Sequence, residues 1–405
     1  MATGRTPREN LAIFALRTVN WLSRITRRGS GTVAGGHVGL RIAPNLLAVL
    51  ARGRTIIVVS GTNGKTTTTA LCAAGWGGQV TTNATGANMP AGHVAALAGS
   101  TSQRVVLEVD EAWLSEVIDA AKPRVAILLN LSRDQLDRAN EVRQMAERWR
   151  GTLGRGDREM VVVANANDPL VVYAALDAPR VRWCDVATSW TGDSQSCPRC
   201  TQPLEHSASG WSCSCALAKP VDLTTTLGRD LVVGGECAAL ELSIPGEYNR
   251  ANAAMAATAL KEVGVDLAES LARMRSVTGV AGRYTVRSWR GRHVRLLLAK
   301  NPAGFGALLS MVPSEPVDVW VAINANVADG RDPSWLYDVA FEELAGHVVW
   351  CLGSRRLDLA TRLDYARVNY RIVNDFSDLP TTATPVDLLA NYTAFQEWMA
   401  RSRPC

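Results

Sequence analysis

Short apolar runs alternate with longer segments of mixed apolar and polar residues through the middle of the chain. The runs occupy residues 55–59, 105–109, 125–129 and 160–163, and each leads directly into polar residues. Runs rich in β-branched residues predict buried strands, and helical segments between them favour parallel pairing in a doubly wound sheet. Because open parallel sheets bind ligands at the carboxyl ends of their strands, we expect the functional site at that edge.

A second α/β pattern begins near Arg283, with apolar runs that predict strands at 294–298, 317–323 and 347–352. At the other end of the chain, an apolar stripe over residues 7–28 predicts a helix. A polar, cysteine-bearing segment interrupts the central pattern. We therefore divide the chain into a basic helical arm, a central sheet domain with an insertion, and a C-terminal α/β domain. These cover residues 1–54, 55–283 (insertion 186–225) and 284–405.

The composition is that of a globular protein with sizeable cores, since 47% of the 405 residues are hydrophobic. No apolar stretch reaches the length of about 18 residues that a membrane span requires. The N-terminus lacks a secretory signal pattern, because its apolar stretches are short and interrupted by arginines. We expect a cytoplasmic protein.

Positive charge is concentrated at the start of the chain. Residues 1–54 hold nine arginines and one acid, Glu9, whereas the remainder has 34 basic against 37 acidic residues. A basic arm attracts anionic lipid headgroups, a diphosphate substrate or nucleic acid. It could equally be a solvated helix face packed on the main body.

A glycine-rich loop follows the first apolar run. Backbone N–H groups at such a turn and at the next helix N-terminus favour a bound phosphate. Lys65 offers a cation to the outer phosphates, and Thr66 offers a hydroxyl to Mg²⁺. The spacing is the shorter G-x-x-G-K-T form, and a glycine turn with an unrelated lysine is the alternative. The predicted ATP-binding residues of the loop are Gly61, Thr62, Asn63, Gly64, Lys65, Thr66 and Thr67.

The insertion carries four closely spaced cysteines, Cys197, Cys200, Cys213 and Cys215. Two tight pairs of thiolates can close a tetrahedron around Zn²⁺, and the residues between them suit a small hairpin. We predict a zinc ribbon, and a structural one because four protein ligands leave no open position for chemistry. His206 as a substitute ligand and a metal-free loop with redox thiols are the alternatives.

These residues together resemble the Mur ligase superfamily, the ATP-dependent amide-bond ligases of cell-wall precursor synthesis. The family's phosphate loop reads G-T-N-G-K-T, as at residues 61–66, and its Mg²⁺-binding glutamate resembles Glu108 in L-E-V-D-E. Residues 130–138 resemble the family's N-x-x-x-D-H-x-D-R element. The resemblance implies a Mur-ligase-type central parallel sheet. It also implies nucleoside contacts and an interdomain arginine that reaches the phosphates, at Asn165, Asp168, Asn249 and Arg283.

Several departures separate the chain from the amino-acid-adding ligases. Gln135 stands where the family has a metal-binding histidine, and no lysine between Lys122 and Lys219 can serve as the family's carbamylated lysine. The UDP-sugar-binding domain of those enzymes has no counterpart ahead of the first strand. The magnesium site is therefore expected to differ.

The departures fit one branch, and the chain resembles the MurT family, the synthetase subunits of lipid II isoglutaminyl synthases, over nearly its whole length. Pro333 and the segment 324–326 differ from the branch's usual valine and N-D-N. The C-terminal segments that carry the resemblance are 300–305, 328–338, 353–358, 362–365 and 391–394.

The resemblance implies an ATP-dependent amidation in peptidoglycan synthesis. In it, the D-glutamate α-carboxylate of lipid II becomes an acyl phosphate and then D-isoglutamine. Ammonia comes from a GatD-type glutaminase partner in a heterodimer at the inner face of the membrane, since the chain's other cysteines lack a recognisable histidine pairing. Mg²⁺ is implied as cofactor. Lys65 and Glu108 are the implied catalytic residues for phosphoryl transfer.

The resemblance also implies that the chain lends an aspartate that orients the partner's catalytic histidine. We place that role on Asp332, with Asp329 and Asp338 as close rivals. Asp332 could instead cap a helix that begins near Pro333.

Two other functions compete with this one. A ligase of the same superfamily could add an amino acid such as glutamate to a folate or a muropeptide. A nucleotide-gated zinc-ribbon protein could bind nucleic acid, but the ribbon offers only Arg199 and Trp211 as a basic and stacking surface, so no nucleic acid is expected.

Overall fold

The computed structural model describes residues 4–26, 33–83, 86–132, 139–155, 157–186, 195–207, 209–280, 283–380 and 386–404. The helices found there are α1 (Pro7–Ile25), α2 (Ala34–Ile42), α3 (Leu46–Ala51), α4 (Lys65–Trp76), α5 (Pro90–Ala98), α6 (Leu114–Ala121), α7 (Ala139–Gly154), α8 (Pro169–Ala175), α9 (Glu247–Lys261), α10 (Leu267–Met274), α11 (Pro302–Leu309), α12 (Arg356–Ala366) and α13 (Tyr392–Arg401).

The strands of the central region are β1 (Thr55–Ser60), β2 (Val80–Thr82), β3 (Arg104–Glu108), β4 (Val125–Leu128), β5 (Val161–Asn165), β6 (Val181–Asp185), β7 (Glu205–Ser207), β8 (Gly210–Ser212), β9 (Leu223–Leu227), β10 (Leu231–Val233) and β11 (Glu236–Ala238). Those of the C-terminal region are β12 (Tyr284–Trp289), β13 (Arg292–Leu298), β14 (Asp318–Ala322), β15 (Val348–Leu352), β16 (Asn369–Ile372), β17 (Val386–Ala390) and β18 (Arg403–Pro404).

The amino-terminal helices pack onto the central sheet. A capping box starts α1: Thr6 Oγ1 accepts from Glu9 N at 3.3 Å, and Glu9 Oε2 accepts from Thr6 N at 2.8 Å. One face of α1 carries Ala12 and Leu16, which are buried in the same apolar core as Ile56 of β1. The basic arm therefore has a packed face, as one of the two alternatives for it predicts.

The central sheet has the strand order β11-β10-β9-β6-β5-β4-β1-β3-β2 among the described residues. Pairing is parallel from β2 through β9, and only the pairs of β10 are antiparallel. Helices cover both faces: α1, α3 and α5–α8 on one, α4, α9 and α10 on the other. The expected α/β domain with a parallel sheet is confirmed.

The C-terminal region forms a second sheet, with the order β16-β15-β14-β17-β13-β12-β18. Its five strands from β16 to β13 are parallel, whereas β12 pairs antiparallel with β13 and with β18. The sequence predicted β13, β14 and β15 but not β12, β16 or the central β17. Among the described residues, no helix has both the length and the apolar content needed to cross a membrane.

Candidate nucleotide-binding site

The loop between β1 and α4 depends on two glycines. Gly61 has φ 142° and Gly64 has φ 87°, both in the region that favours glycine. A Cβ on Gly64 would lie 2.7 Å from Asn252 Oδ1, and one on Gly61 would lie 2.9 Å from Leu129 Cβ. The turn therefore passes too close to its neighbours for any side chain, and α4 begins directly after it.

Asn130 and Ser132, which follow β4, hold this loop in place. Asn130 Oδ1 accepts from Asn63 N at 2.9 Å, and Asn130 Nδ2 donates to Asn63 O at 3.0 Å. Thr62 Oγ1 donates to Ser132 O at 3.1 Å and accepts from Ser132 N at 3.0 Å. The loop is therefore fixed by side-chain and backbone contacts that need no ligand. The sequence pattern did not predict these contacts.

Lys65, the first residue of α4, contacts a carboxylate. Its Nζ donates to Glu111 Oε2 at 3.0 Å, to Gly61 O at 2.5 Å and to Thr62 O at 3.2 Å. The two side chains are 10% and 18% exposed, so the ion pair is largely shielded from water. Trp149 Nε1 holds the Glu111 backbone by donating to its carbonyl at 3.0 Å. Sequence analysis missed Glu111, whose only signal is its place three residues after Glu108.

Glu108 ends β3 in register with Val59 of β1. The residue is 3% exposed, so its side chain is buried and does not face solvent at the strand end. Asn83 holds its backbone, with Glu108 N donating to Asn83 Oδ1 and Asn83 Nδ2 donating to Glu108 O, both at 2.8 Å. His93 Nε2 donates to the same carbonyl at 2.8 Å, and burial lowers the pKa of His93 to about 4. His93 is therefore a neutral support for the strand end.

Asn165 and Asp168 both form hydrogen bonds with backbone groups at the carboxyl edge of the central sheet. Asn165 Nδ2 donates to Leu129 O at 2.9 Å, and its Oδ1 accepts from Asn167 N at 2.9 Å. Asp168 caps α8, since its Oδ1 accepts from Leu170 N at 2.9 Å. Its Oδ2 accepts from Leu131 N at 2.8 Å. Both residues line the cavity described next, where they shape its wall.

A cavity of about 820 Å³ lies between the phosphate loop, the start of α9 and the C-terminal region. Asn249, 3% exposed, donates from Nδ2 to Pro245 O at 2.5 Å. Its Oδ1 is buried and accepts no hydrogen bond from the described residues. A buried acceptor without a donor costs free energy, so a cavity ligand with an N–H group would complete it.

Three cations line the same cavity: Arg283 directly before β12, Arg295 on β13 and Lys300 shortly after β13. The backbone of Arg283 is fixed, because its carbonyl accepts from Leu298 N at 3.0 Å. Arg295 forms a two-point ion pair with Asp387, at 2.5 Å and 2.6 Å. The cavity thus joins the phosphate loop to positive charge from the second sheet.

Glu108, Glu111 and Asp332 do not line this cavity. Asp332 is exposed on the C-terminal region, and its Oδ1 accepts from Ser334 N at 2.9 Å, which lowers the pKa of its carboxyl. Asp329 is more constrained, since its Oδ1 accepts from Thr393 N at 2.8 Å and its Oδ2 accepts from Asn326 N at 3.1 Å. Asp338 is exposed.

The four cysteines of the insertion come together. Their Sγ atoms all lie within 4.8 Å of one another, with Cys197 to Cys215 at 3.6 Å and Cys200 to Cys213 at 3.4 Å. Thiolates around tetrahedral Zn²⁺ are about 3.8 Å apart for Zn–S bonds of about 2.3 Å, so the set fits that metal. His206 is exposed and outside the cluster.

The rest of the element that resembles N-x-x-x-D-H-x-D-R lies outside the described residues. Asp134, Gln135, Asp137 and Arg138 belong to it. The element's first residue, Asn130, is described and holds the phosphate loop.

Two family models match the chain. The Mur ligase middle domain matches residues 59–260, and the MurT ligase C-terminal domain matches residues 298–395. The chain is 28% identical to the lipid II isoglutaminyl synthase (glutamine-hydrolyzing) subunit MurT of Staphylococcus aureus strain COL, over 92% of this chain and 94% of that protein. It is also 28% identical to the subunit of the same name from Streptococcus pneumoniae strain R6, over 96% of this chain and 95% of that protein.

Among solved structures, a pseudomurein peptide ligase type C from Methanothermus fervidus has the same fold. The TM-score is 0.65 at 16% identity, covering 87% of this chain and 79% of that one. The fold, the two family models and the relatives agree. The chain belongs to the Mur ligase superfamily and is a MurT-type ligase within it.

Proposed function

We propose that the chain is the synthetase subunit of a lipid II isoglutaminyl synthase. It would amidate the D-glutamate α-carboxylate of lipid II with ATP and ammonia. The observation that carries the proposal is the cavity of about 820 Å³ that joins the phosphate loop, the unpaired Asn249 Oδ1 and the cations of the second sheet. The MurT relatives, similar over nearly their whole length, supply the substrate class.

The cavity offers contacts to both ends of ATP, the phosphates and the base. Loop residues 62–67 line one end of the cavity, where the backbone N–H groups at the N-terminus of α4 favour phosphates. The buried Asn249 Oδ1 is an acceptor for the exocyclic amino group of adenine. Lys65 and Arg283 would neutralise the phosphates, and Asn165 and Asp168 would shape the nucleoside wall.

Thr66 and Glu108 are the residues that would hold Mg²⁺. Hydroxyl and carboxylate oxygens are the ligands this ion prefers, and when bound it neutralises charge on the phosphates. Glu108 ends the strand paired with β1, and β1 leads through the phosphate loop to Thr66 in the first turn of α4. The Glu111 carboxylate on Lys65 keeps the ammonium near the loop before the nucleotide arrives.

The reaction would proceed in two steps. A carboxylate oxygen of D-glutamate attacks the γ-phosphorus of ATP, the bond to ADP breaks, and an acyl phosphate forms. Ammonia then attacks the carbonyl carbon, phosphate leaves with that carboxylate oxygen, and the nitrogen loses a proton to give the amide. Positioning and electrostatics carry most of such phosphoryl transfer, and this chain's contribution is the cationic cradle.

A GatD-type glutaminase would supply the ammonia as a heterodimer partner. The buried cysteines Cys72, Cys184 and Cys351 do not suit glutamine hydrolysis, because burial raises the pKa of each thiol. Asp332, exposed and kept ionised by Ser334 N, would orient the partner's histidine. Asp329 is the weaker rival, since both of its carboxylate oxygens already accept backbone hydrogen bonds, whereas Asp332 accepts one through Oδ1.

We further propose a domain organisation, a structural metal site and a cellular location for the chain. The residues 55–283 would form the ATP-binding domain and 284–405 the partner-contacting domain. The insertion 186–225 would be a structural zinc ribbon on the four cysteines, anchored where Trp211 Nε1 donates to Ala166 O at 3.2 Å. The protein would act in the cytoplasm at the inner face of the membrane, where lipid II is made.

Reconstitution tests the proposal. The full chain, a GatD-type glutaminase, ATP, Mg²⁺, glutamine and lipid II are combined, and the lipid is analysed by mass spectrometry. We expect the mass change of a hydroxyl replaced by an amino group, dependent on ATP. Incorporation of added glutamate in place of ammonia would support an amino-acid-adding ligase and contradict the proposal.

A further inference from the structure

Helix α1 has a second apolar face that the described part of the chain leaves exposed. Its buried face packs on the central domain, whereas five large apolar side chains on the other side are between 48% and 68% exposed. They are Leu11, Phe14, Trp21, Leu22 and Ile25. With 3.6 residues per turn, they span about 100° of the helix, opposite Ala12, Ile13 and Leu16. Large apolar residues lined up in this way mark an interaction surface.

Arginines flank this stripe on both sides. Arg8 lies along one edge, and Arg17 and Arg24 lie along the other, and all three are exposed. The Arg17 guanidinium is held beside the stripe by donating to Ala98 O at 2.8 Å and 3.1 Å. The only acid of residues 1–54, Glu9, is 6% exposed and accepts from Thr6 N and Asn45 Nδ2. The arm therefore presents positive charge with no accessible carboxylate of its own.

We propose that α1 lies on a bilayer surface containing anionic lipids, with its exposed stripe in the headgroup region and its arginines on the lipid phosphates. An apolar stripe with a tryptophan and flanking cations is the pattern of an interfacial helix. Each cation near such a surface adds to binding, and the attraction weakens with salt. A protein partner would have no comparable need for arginines on both edges of the stripe.

The helix also leads towards the catalytic edge of the central sheet. Near its C-terminal end, Asn20 Oδ1 accepts from Gly35 N at 3.0 Å, and a Cβ on Gly36 would lie 1.9 Å from Ala91 O at the start of α5. That end of α5 follows the segment held by Asn83, which also holds Glu108. A membrane-bound α1 would thus bring the carboxyl edge to the surface that holds a lipid-linked substrate. This step rests on the proposed function, whereas the binding itself does not.

Vesicle sedimentation of the full-length protein tests the inference without ATP or partner. Phosphatidylcholine vesicles are compared with vesicles that also contain phosphatidylglycerol, at low and high salt. The wild type should sediment with the anionic vesicles and be released by salt. The variant Phe14→Ser with Trp21→Ser should bind at least tenfold less. Leu357→Ser, at a site 61% exposed on α12, is the matched control and should bind like the wild type.

Two results would overturn the inference: equal binding by wild type and double variant, or self-association through the stripe without vesicle binding. Activity separates it from the proposed function. The double variant should amidate a short-chain, water-soluble lipid II analogue at the wild-type rate and lose activity on lipid II in vesicles. Amidation by a wild-type protein that does not bind vesicles would support the proposed function and contradict membrane binding by α1. Vesicle binding without any amidation would support membrane binding by α1 and contradict the proposed function.

Discussion

The ammonium of Lys65 and the carboxylate of Glu111 lie 3.0 Å apart beside the phosphate loop, in a pair that is largely shielded from water. Lys65 also donates to Gly61 O and Thr62 O, so its charge already rests over the loop. A nucleotide must compete with Glu111 for this lysine. The ion pair therefore determines where the Lys65 ammonium lies in the absence of a nucleotide. It also determines how strongly that ammonium attracts phosphates.

Replacing Glu111 by Gln should tighten nucleotide binding in the absence of Mg²⁺ by about two- to fivefold, because Lys65 loses its competing anion. Calorimetric titration with ATP and a chelator measures the change. Glu116→Gln, exposed on α6, is the control and should bind like the wild type. Weaker binding by Glu111→Gln would mean that this carboxylate supports the nucleotide instead of competing with it.

Asn249→Ala should weaken ATP binding by about tenfold or more, since a buried hydrogen bond to the base would be lost. The same change should reduce the preference for ATP over GTP, because guanine presents an acceptor where adenine presents an amino group. Competition binding with both nucleotides measures the ratio. Asn369→Ala, exposed on β16, should leave the ratio unchanged. An unaltered ratio in Asn249→Ala would remove this residue from base recognition.

Cys200→Ser should remove bound zinc and lower the melting temperature, because three thiolates hold the metal less tightly than four. Elemental analysis and thermal unfolding measure the two effects. Cys237→Ser is the matched control, since Cys237 is exposed and outside the cluster. If both variants had the same zinc content, or if the wild type contained no zinc, the prediction of a zinc ribbon would be wrong.

Asp332→Asn should abolish amidation driven by glutamine while sparing amidation driven by added ammonia, because the residue would act on the partner's histidine. Both reactions are followed on lipid II by mass spectrometry. Asp222→Asn, exposed in the central region, should affect neither. Equal loss with both nitrogen sources would show that Asp332 acts elsewhere, and the split appearing in Asp338→Asn would move the role there.

The phosphate loop could be predicted because its determinants are local. An apolar strand, two glycines at fixed spacing and a lysine at the start of a helix occur within residues 55–67. The cysteine cluster could be predicted for the same reason. Four thiols at short spacing have few other ways to come together, and the structure brings their Sγ atoms within 4.8 Å.

The contacts that sequence analysis missed are long-range. Asn130 holds Asn63 across 67 positions, and Glu111 reaches Lys65 across 46, so neither pairing has a period or spacing that a pattern could reveal. Strand β17 was missed because its apolar run is only five residues long and is interrupted by Asp387. It is nonetheless central in the second sheet, between β13 and β14.

The exposed face of α1 was also hidden in the sequence. The predicted apolar stripe includes Leu11, Phe14 and Leu22, yet these three side chains are exposed. The face that is buried carries Ala12, Ile13 and Leu16 instead. Which face meets the protein depends on Gly35, Gly36 and the neighbouring helices, since these allow α2 to approach α1 and α5 closely. Only tertiary packing reveals which face is left over.

The most direct test of the central claim follows oxygen from the substrate to phosphate. Lipid II labelled with heavy oxygen in its D-glutamate α-carboxylate is incubated with the protein, ATP, Mg²⁺ and ammonia, and the released phosphate is analysed by mass spectrometry. Carboxylate activation predicts one labelled oxygen in the phosphate for each amide formed. It also predicts a loss of about 100-fold or more in rate for Lys65→Ala. Amide formation with unlabelled phosphate, or no ATP-dependent amide at all, would contradict the account.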